Sequence, residues 1–122
     1  MAFNLKKKNV ELEDPIFTDD SIQFYVATYF DVDKYFGTTI GDNEDCWINF
    51  YIDYYPLSDD IVATYTVNGD YESAGVGATC DGCEMNWDLS AAEEAMFKDL
   101  ISDYADYEFG SFEDMITDWK NS

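Results

Sequence analysis

The segment Cys80-Asp81-Gly82-Cys83 has the spacing of half a zinc site or of a thiol redox pair. Zinc takes four ligands, and the chain has only one more cysteine, Cys46, and no histidine. A redox pair works at a helix N-terminus, where the thiol pKa is depressed. This pair flanks an Asp-Gly turn among carboxylates, which push a thiol pKa up. The reading is therefore two cysteines on neighbouring strands beside a tight turn, with no structural zinc. Asp31-Val32-Asp33 and Asp42-Asn43-Glu44-Asp45 have the composition of a calcium loop. An EF-hand pattern begun at Asp31 wants a ligand and then a glycine where Tyr35 and Phe36 stand. A solvated acidic loop is expected there.

The wider inventory removes whole classes of chemistry. The 122 residues hold 27 Asp plus Glu against 6 Lys plus Arg, for a formal charge of −21. All of the basic residues are lysine. Without histidine there is no Ser-His-Asp or Cys-His relay and no imidazole ligand. Without arginine there is no guanidinium fork to clamp a phosphate. Carboxylates are so numerous that no pair stands out as a general acid and base. The expectation is a protein with no catalytic residue, no cofactor and no bound metal. Direct binding to nucleic acid is excluded by the sign of the charge.

The placement of the acids is more informative. Asp99, Asp103 and Asp106 recur at i, i+4 and i+7, a stripe along one side of a helix. No lysine stands four residues from Asp103 or Asp106, so the stripe reads as unpaired. Glu108, Glu113, Asp114 and Asp118 continue the run. Solubility asks for a net charge of only about 2–8 in a small domain. Tyrosine is the second unusual pattern: Tyr104 and Tyr107 stand among the helix acids, and Tyr25, Tyr29, Tyr51 and Tyr55 on the less apolar faces of two strands. Tyrosine beside aspartate suits a surface that receives Lys and Arg by ion pairing and cation–π contact. The partner-binding candidates are therefore Asp99, Asp103, Asp106, Glu108, Glu113, Asp114, Asp118, Tyr104 and Tyr107.

These residues need a scaffold, and the hydrophobic pattern supplies one. With 47% hydrophobic and 18% aromatic residues, the chain can bury a core in spite of its charge. Ser21–Phe30 and Cys46–Tyr54 alternate as half-buried strands. Ile61–Val67 is a third strand, roughly Tyr71–Thr79 a fourth and Cys83–Trp87 a fifth, with Asn68-Gly69 and Asp81-Gly82 read as hairpin turns. At Ser90 the period changes. Ser90-Ala91-Ala92-Glu93 is a capping box, followed by Leu89, Ala92, Met96, Phe97, Leu100, Ile101 and Tyr104 at helical spacing. Gly110 ends that helix, and Ser111 caps another with Phe112, Met115, Ile116 and Trp119 as its apolar stripe. The expectation is one α+β domain over residues 1–122: a poorly ordered or edge segment at 1–20, a five-stranded antiparallel meander at 21–88, and two C-terminal helices at 89–120 packed on one face. Met1 to Lys8 has no apolar run after its lysines, so neither a signal peptide nor a membrane span is expected. The odd cysteine count points to a reducing cytoplasm.

A small, foldable, strongly acidic domain resembles the phage and mobile-element inhibitors that imitate nucleic acid, the anti-CRISPR and antirestriction proteins. Asp106-Tyr107-Glu108-Phe109-Gly110-Ser111-Phe112-Glu113 is loosely similar to an acidic Asp-Tyr-Glu segment of plasmid- and transposon-borne antirestriction proteins. The upstream sequence does not follow that family, and this chain is shorter. The resemblance implies an inhibitor that occupies the DNA-binding groove of a bacterial nuclease, a Cas9-type CRISPR effector first and a restriction enzyme next, inside the bacterial cytoplasm. Its partner would be a basic nucleic-acid-binding protein. The alternative from composition is a non-catalytic adaptor for another basic protein, such as a toxin or a ribosomal protein. A halophile's acidic surface is a third reading.

Overall fold

A computed structural model describes residues 7–28, 46–69 and 82–122. A short 3-10 turn, Lys7–Asn9, leads into β1 (Val10–Phe17), β2 (Ile22–Thr28), β3 (Cys46–Tyr55), β4 (Asp60–Gly69) and β5 (Glu84–Trp87). Two helices follow, α1 (Ala91–Glu108) and α2 (Phe112–Lys120). The sheet order is β1-β2-β3-β4-β5 with every neighbouring pair antiparallel, which is a meander. The α+β class, the meander and the two C-terminal helices match the sequence reading.

The strand inventory differs from that reading in two places. Val10–Phe17 is a strand, the edge of the sheet beside β2. Its alternation of Val10 and Leu12 with Glu11 and Glu13 is interrupted at Asp14-Pro15, where the register shifts between Glu13 and Ile16 and Asp14 adopts φ 50°. That is a bulge, and a bulge with a proline is a common way to blunt an exposed edge. Asn68 and Gly69, read as a hairpin turn, are instead the last residues of β4, opposite Trp47 and Cys46 of β3. The cross-strand partner overrides the local turn preference. The strand expected over 71–79 lies outside the described residues. Gly82 does hold the positive φ of a turn residue, 77°, and its N–H donates to the Val67 carbonyl at 2.9 Å.

The two faces of the sheet separate by register. Ile22, Tyr54 and Ile61 lie in one cross-strand row, and Phe24, Ile52, Ala63 and Trp87 in the next. This face takes the helices. Trp87 meets Phe97 edge-on at 5.7 Å between ring centroids, Tyr54 meets Phe112 at 5.8 Å, and Phe24 meets Tyr104 at 5.5 Å. The helices contribute Phe97, Ile101, Ala105, Met115 and Trp119 to the core. Ala92, expected on that stripe, is exposed, and Ala105 takes a buried place. The Trp119 indole N–H donates to the Thr18 carbonyl at 2.8 Å and so fastens α2 to the β1–β2 turn.

The opposite face carries Tyr25, Tyr51, Thr64 and Asn86 in one row, and Gln23, Asp53 and Val62 in another. No described helix packs there.

Candidate acidic interface

The acid stripe sits on a well-fixed helix. The Glu93 N–H donates to Ser90 Oγ at 3.1 Å, and the Ser90 N–H donates to Glu93 Oε1 at 3.1 Å, closing the capping box. Glu93 is itself 2% exposed, so it belongs to the cap and not to the acidic surface. Phe97, Ile101 and Ala105 turn inward, which forces Asp99, Asp103 and Asp106 outward; all three are exposed. Glu108, Glu113, Asp114 and Asp118 are exposed as well. All seven carboxylates of the expected interface therefore reach solvent.

The structure corrects the reading of the stripe as unpaired. Lys7 Nζ donates to Asp103 Oδ2 at 2.5 Å, joining the 3-10 turn to the middle of α1. The hydrogen bond that Lys7 donates to Asp103, and the charges of Asp103 and Asp99, raise the Lys7 pKa. This lysine is 96 residues away, beyond any helical-spacing argument.

The acids also differ in what the helix backbone does for them. Glu113 and Asp114 lie in the first turn of α2, where the exposed N–H groups and the helix dipole favour negative charge. The Asp114 N–H donates to the Ser111 cap at 3.0 Å. These two have an ordinary structural reason to be acidic. Asp106 and Glu108 lie in the last turn of α1, where the dipole opposes a carboxylate and no basic residue is present. Helix stability gains nothing from them.

The two helix tyrosines part company. The Tyr104 ring is half-buried, edge-on to Phe24 and 6.5 Å from Phe109, and so packs the helix to the sheet. Burial raises its pKa, with the charges of Glu108, Asp14 and Glu13 adding to the shift. Tyr107 is 86% exposed and stands between Asp106 and Glu108. A groove of about 260 Å³ runs between β1 and α1, lined by Glu11, Leu100, Asp103, Tyr104, Tyr107 and Glu108. β1 thus brings a further acid, Glu11, to the helix stripe, which sequence reasoning missed because it read 1–20 as a poorly ordered or edge segment and assigned it no strand.

A second cavity, of about 270 Å³, lies on the other side of α1. The Tyr54 hydroxyl donates to Asp59 Oδ1 at 2.7 Å, and Lys98 Nζ donates to Asp59 Oδ2 at 3.0 Å. Lys98 also approaches Glu94 at 3.9 Å. The Tyr54 hydroxyl, then Lys98, hold the Asp59 carboxyl below the usual carboxylate range. Burial and the bond to Asp59 push the Tyr54 phenol well above its usual range. This network ties the β3–β4 turn to α1. Its one lysine is already neutralised, so it has no spare charge for an anionic ligand.

Cys83 is disulfide-bonded, and the chain has only Cys46 and Cys80 as partners for it. The cysteines are thus not all thiols, as the compartment argument took them to be, and a disulfided Cys83 has no thiolate to offer zinc. Cys80 and the acids at 31–45 lie outside the described residues, as does Tyr29. Among the described residues, no cluster of three or more metal-ligating side chains occurs, and no helix is long and apolar enough to cross a membrane. In comparisons with known proteins, the chain matches no family model, no curated protein and no solved structure.

Proposed function

We propose that this protein is a non-catalytic inhibitor that presents carboxylates where DNA presents phosphates, and so occupies the DNA-binding groove of a bacterial defence nuclease. A Cas9-type effector is the first candidate target and a restriction enzyme the second. The carrying observation is the end of α1, where Asp106 and Glu108 stand against the helix dipole with no basic residue in the turn and an 86% exposed Tyr107 between them. On this reading, acids that cost helix stability serve what they meet outside the molecule. A groove lined with Lys and Arg would meet them by charge-assisted hydrogen bonds, and the total charge of −21 would steer the approach. Arginines that read guanine edges can accept a carboxylate in the same fork geometry. Such a target places the site of action in the bacterial cytoplasm.

The test is a gel shift of a candidate nuclease with its DNA, titrated with this protein at two salt concentrations. DNA release, with reciprocal loss of inhibitor binding when DNA is in excess, is expected. A stable ternary complex with neither affinity reduced sinks the proposal. Replacing Asp106 and Glu108 by Asn and Gln should weaken the competition.

A further inference from the structure

We infer that the sheet face on which no described helix packs is a second docking surface, built to receive an arginine-bearing segment of a protein partner. The inference does not depend on the partner being a nuclease. Tyr25 and Tyr51 are direct cross-strand neighbours, with rings edge-on at 5.8 Å, and Tyr55 lies further along β3 on the same side. All three rings are half-buried and present part of their surface to solvent. Ile16, 57% exposed, and Val62, 43% exposed, stand on this face too, opposite Gln23 and Asp53 respectively. Two of the four exposed large hydrophobic residues among those described are therefore on one sheet face with three tyrosines. Aromatic and aliphatic anchors with a polar surround are the composition of a protein interface core.

The charge on this face selects the occupant. Glu13 is the cross-strand neighbour of Tyr25, Asp53 lies two residues from Tyr51 and from Tyr55, and Glu84 sits at the β5 edge. The field of these acids is felt at two of the rings, Tyr25 and Tyr55. Burial first, then Tyr51 and Glu13, raises the Tyr25 pKa, and burial followed by Asp53, Asp20 and Glu84 raises that of Tyr55. Lys7 and Lys98, which form ion pairs in the structure, both hold acids on the helix side. A second copy of this chain would bring like charge against like. A nucleic acid or an anionic lipid surface would do the same. A cationic protein segment is the complementary partner. Arginine suits it better than lysine, because the guanidinium plane stacks on a phenol ring while its edge donates to carboxylates.

The experiment is an NMR titration of the intact protein, with carbon-labelled tyrosine rings, against an oligoarginine peptide and an oligolysine peptide of equal length. Saturable shifts of the Tyr25, Tyr51 and Tyr55 rings are expected, with the arginine peptide bound several-fold more tightly. Tyr51→Leu and Tyr55→Leu should each weaken the arginine peptide by about threefold. Should a leucine variant misfold, Glu13→Gln with Glu84→Gln leaves the rings in place and should weaken the same peptide, with a shallower dependence on salt. Rings that do not shift, or equal affinity for the two peptides with no loss in any variant, would show diffuse attraction to an acidic protein and overturn the inference.

Discussion

The Lys7 ammonium rests against the Asp103 carboxylate, so the middle member of the α1 acid stripe is held by the first turn of the described chain. The three aspartates are consequently not equivalent. Asp103→Asn removes a partner from Lys7, whereas Asp106→Asn only relieves a carboxylate at the unfavourable end of a helix. Asp106→Asn is expected to stabilise the fold by a few tenths of a kcal/mol, the usual size of like-charge and dipole effects on a helix surface. Asp103→Asn is expected to give no such gain. Thermal melts of the two variants beside the parent decide it, and equal gains would mean that the Lys7 contact carries no weight in solution.

The Tyr54–Asp59–Lys98 network predicts how stability changes at both ends of the pH scale. Tyr54 and Lys98 have folded-state pKa values raised above ordinary values of 10.0 and 10.5. Below those values their contribution is fully present. Above them the unfolded chain loses protons that the folded one keeps, so stability falls as pH rises. Tyr25, Tyr55, Tyr65 and Tyr104 shift in the same direction and steepen the fall. Asp59 is lowered from 3.8, so its contribution is present above that value and is lost as pH falls through its folded value. Tyr54→Phe should cost about 1 kcal/mol at neutral pH, the net worth of one hydrogen bond. It should also flatten the alkaline limb. Urea melts from pH 7 to 11 measure both, and an unchanged alkaline limb would assign the loss to the other tyrosines.

The helical half was legible almost residue by residue, because its signals are local. Ser90 and Glu93 close the box that their spacing announces, and Met115 and Trp119 are buried as their period requires. The sheet was legible in class and order but not in inventory. Val10–Phe17 lies in the segment expected to be poorly ordered or an edge, and it was not legible as a strand because Asp14-Pro15 interrupts its alternation; only pairing with β2 makes the bulge tolerable. Asn68-Gly69 was misread because a dipeptide that favours a turn is outvoted by its partners on β3. The acids of the interface were visible as a stripe, since helical spacing is a property of the sequence. Their pairing was not, because Lys7 reaches Asp103 only through the tertiary fold.

The Cys83 disulfide predicts a thiol count. One intrachain disulfide leaves one of the three cysteines as a thiol. Alkylation of unfolded protein prepared without reductant should therefore label a single site by mass spectrometry, and labelling after reductant should reach all three. Loss of the crosslink should cost about 2–4 kcal/mol if the closed loop is long, and less if it is short. Three labelled sites before reduction would show that the bond does not form in the isolated protein and would overturn the prediction.

Salt should act in opposite directions on the fold and on the partner. The formal charge of −21 makes self-repulsion a standing cost of the folded state. The Debye length shrinks from about 30 Å at 0.01 M to about 8 Å at 0.15 M, comparable to the spacing between turns and strands. Raising salt over that range should therefore stabilise the fold, by roughly 1 kcal/mol or about 4 °C in Tm. The ion pairs Lys7–Asp103 and Lys98–Asp59 lose some strength under the same screening, but the repulsive pairs outnumber them. A groove-occupying complex held by charge should weaken steeply over that range, because the charges that repel within the protein are the ones that attract its partner. The two measurements together separate three readings. A Tm that rises and levels off near physiological salt, beside a partner affinity that falls, fits an inhibitor built on carboxylates. A Tm that keeps climbing into molar salt fits a halophile's acidic surface instead. A Tm that rises while affinity holds steady moves the binding energy to the tyrosines of the sheet face opposite the helices, where Tyr51→Leu should then cost more affinity than Asp106→Asn.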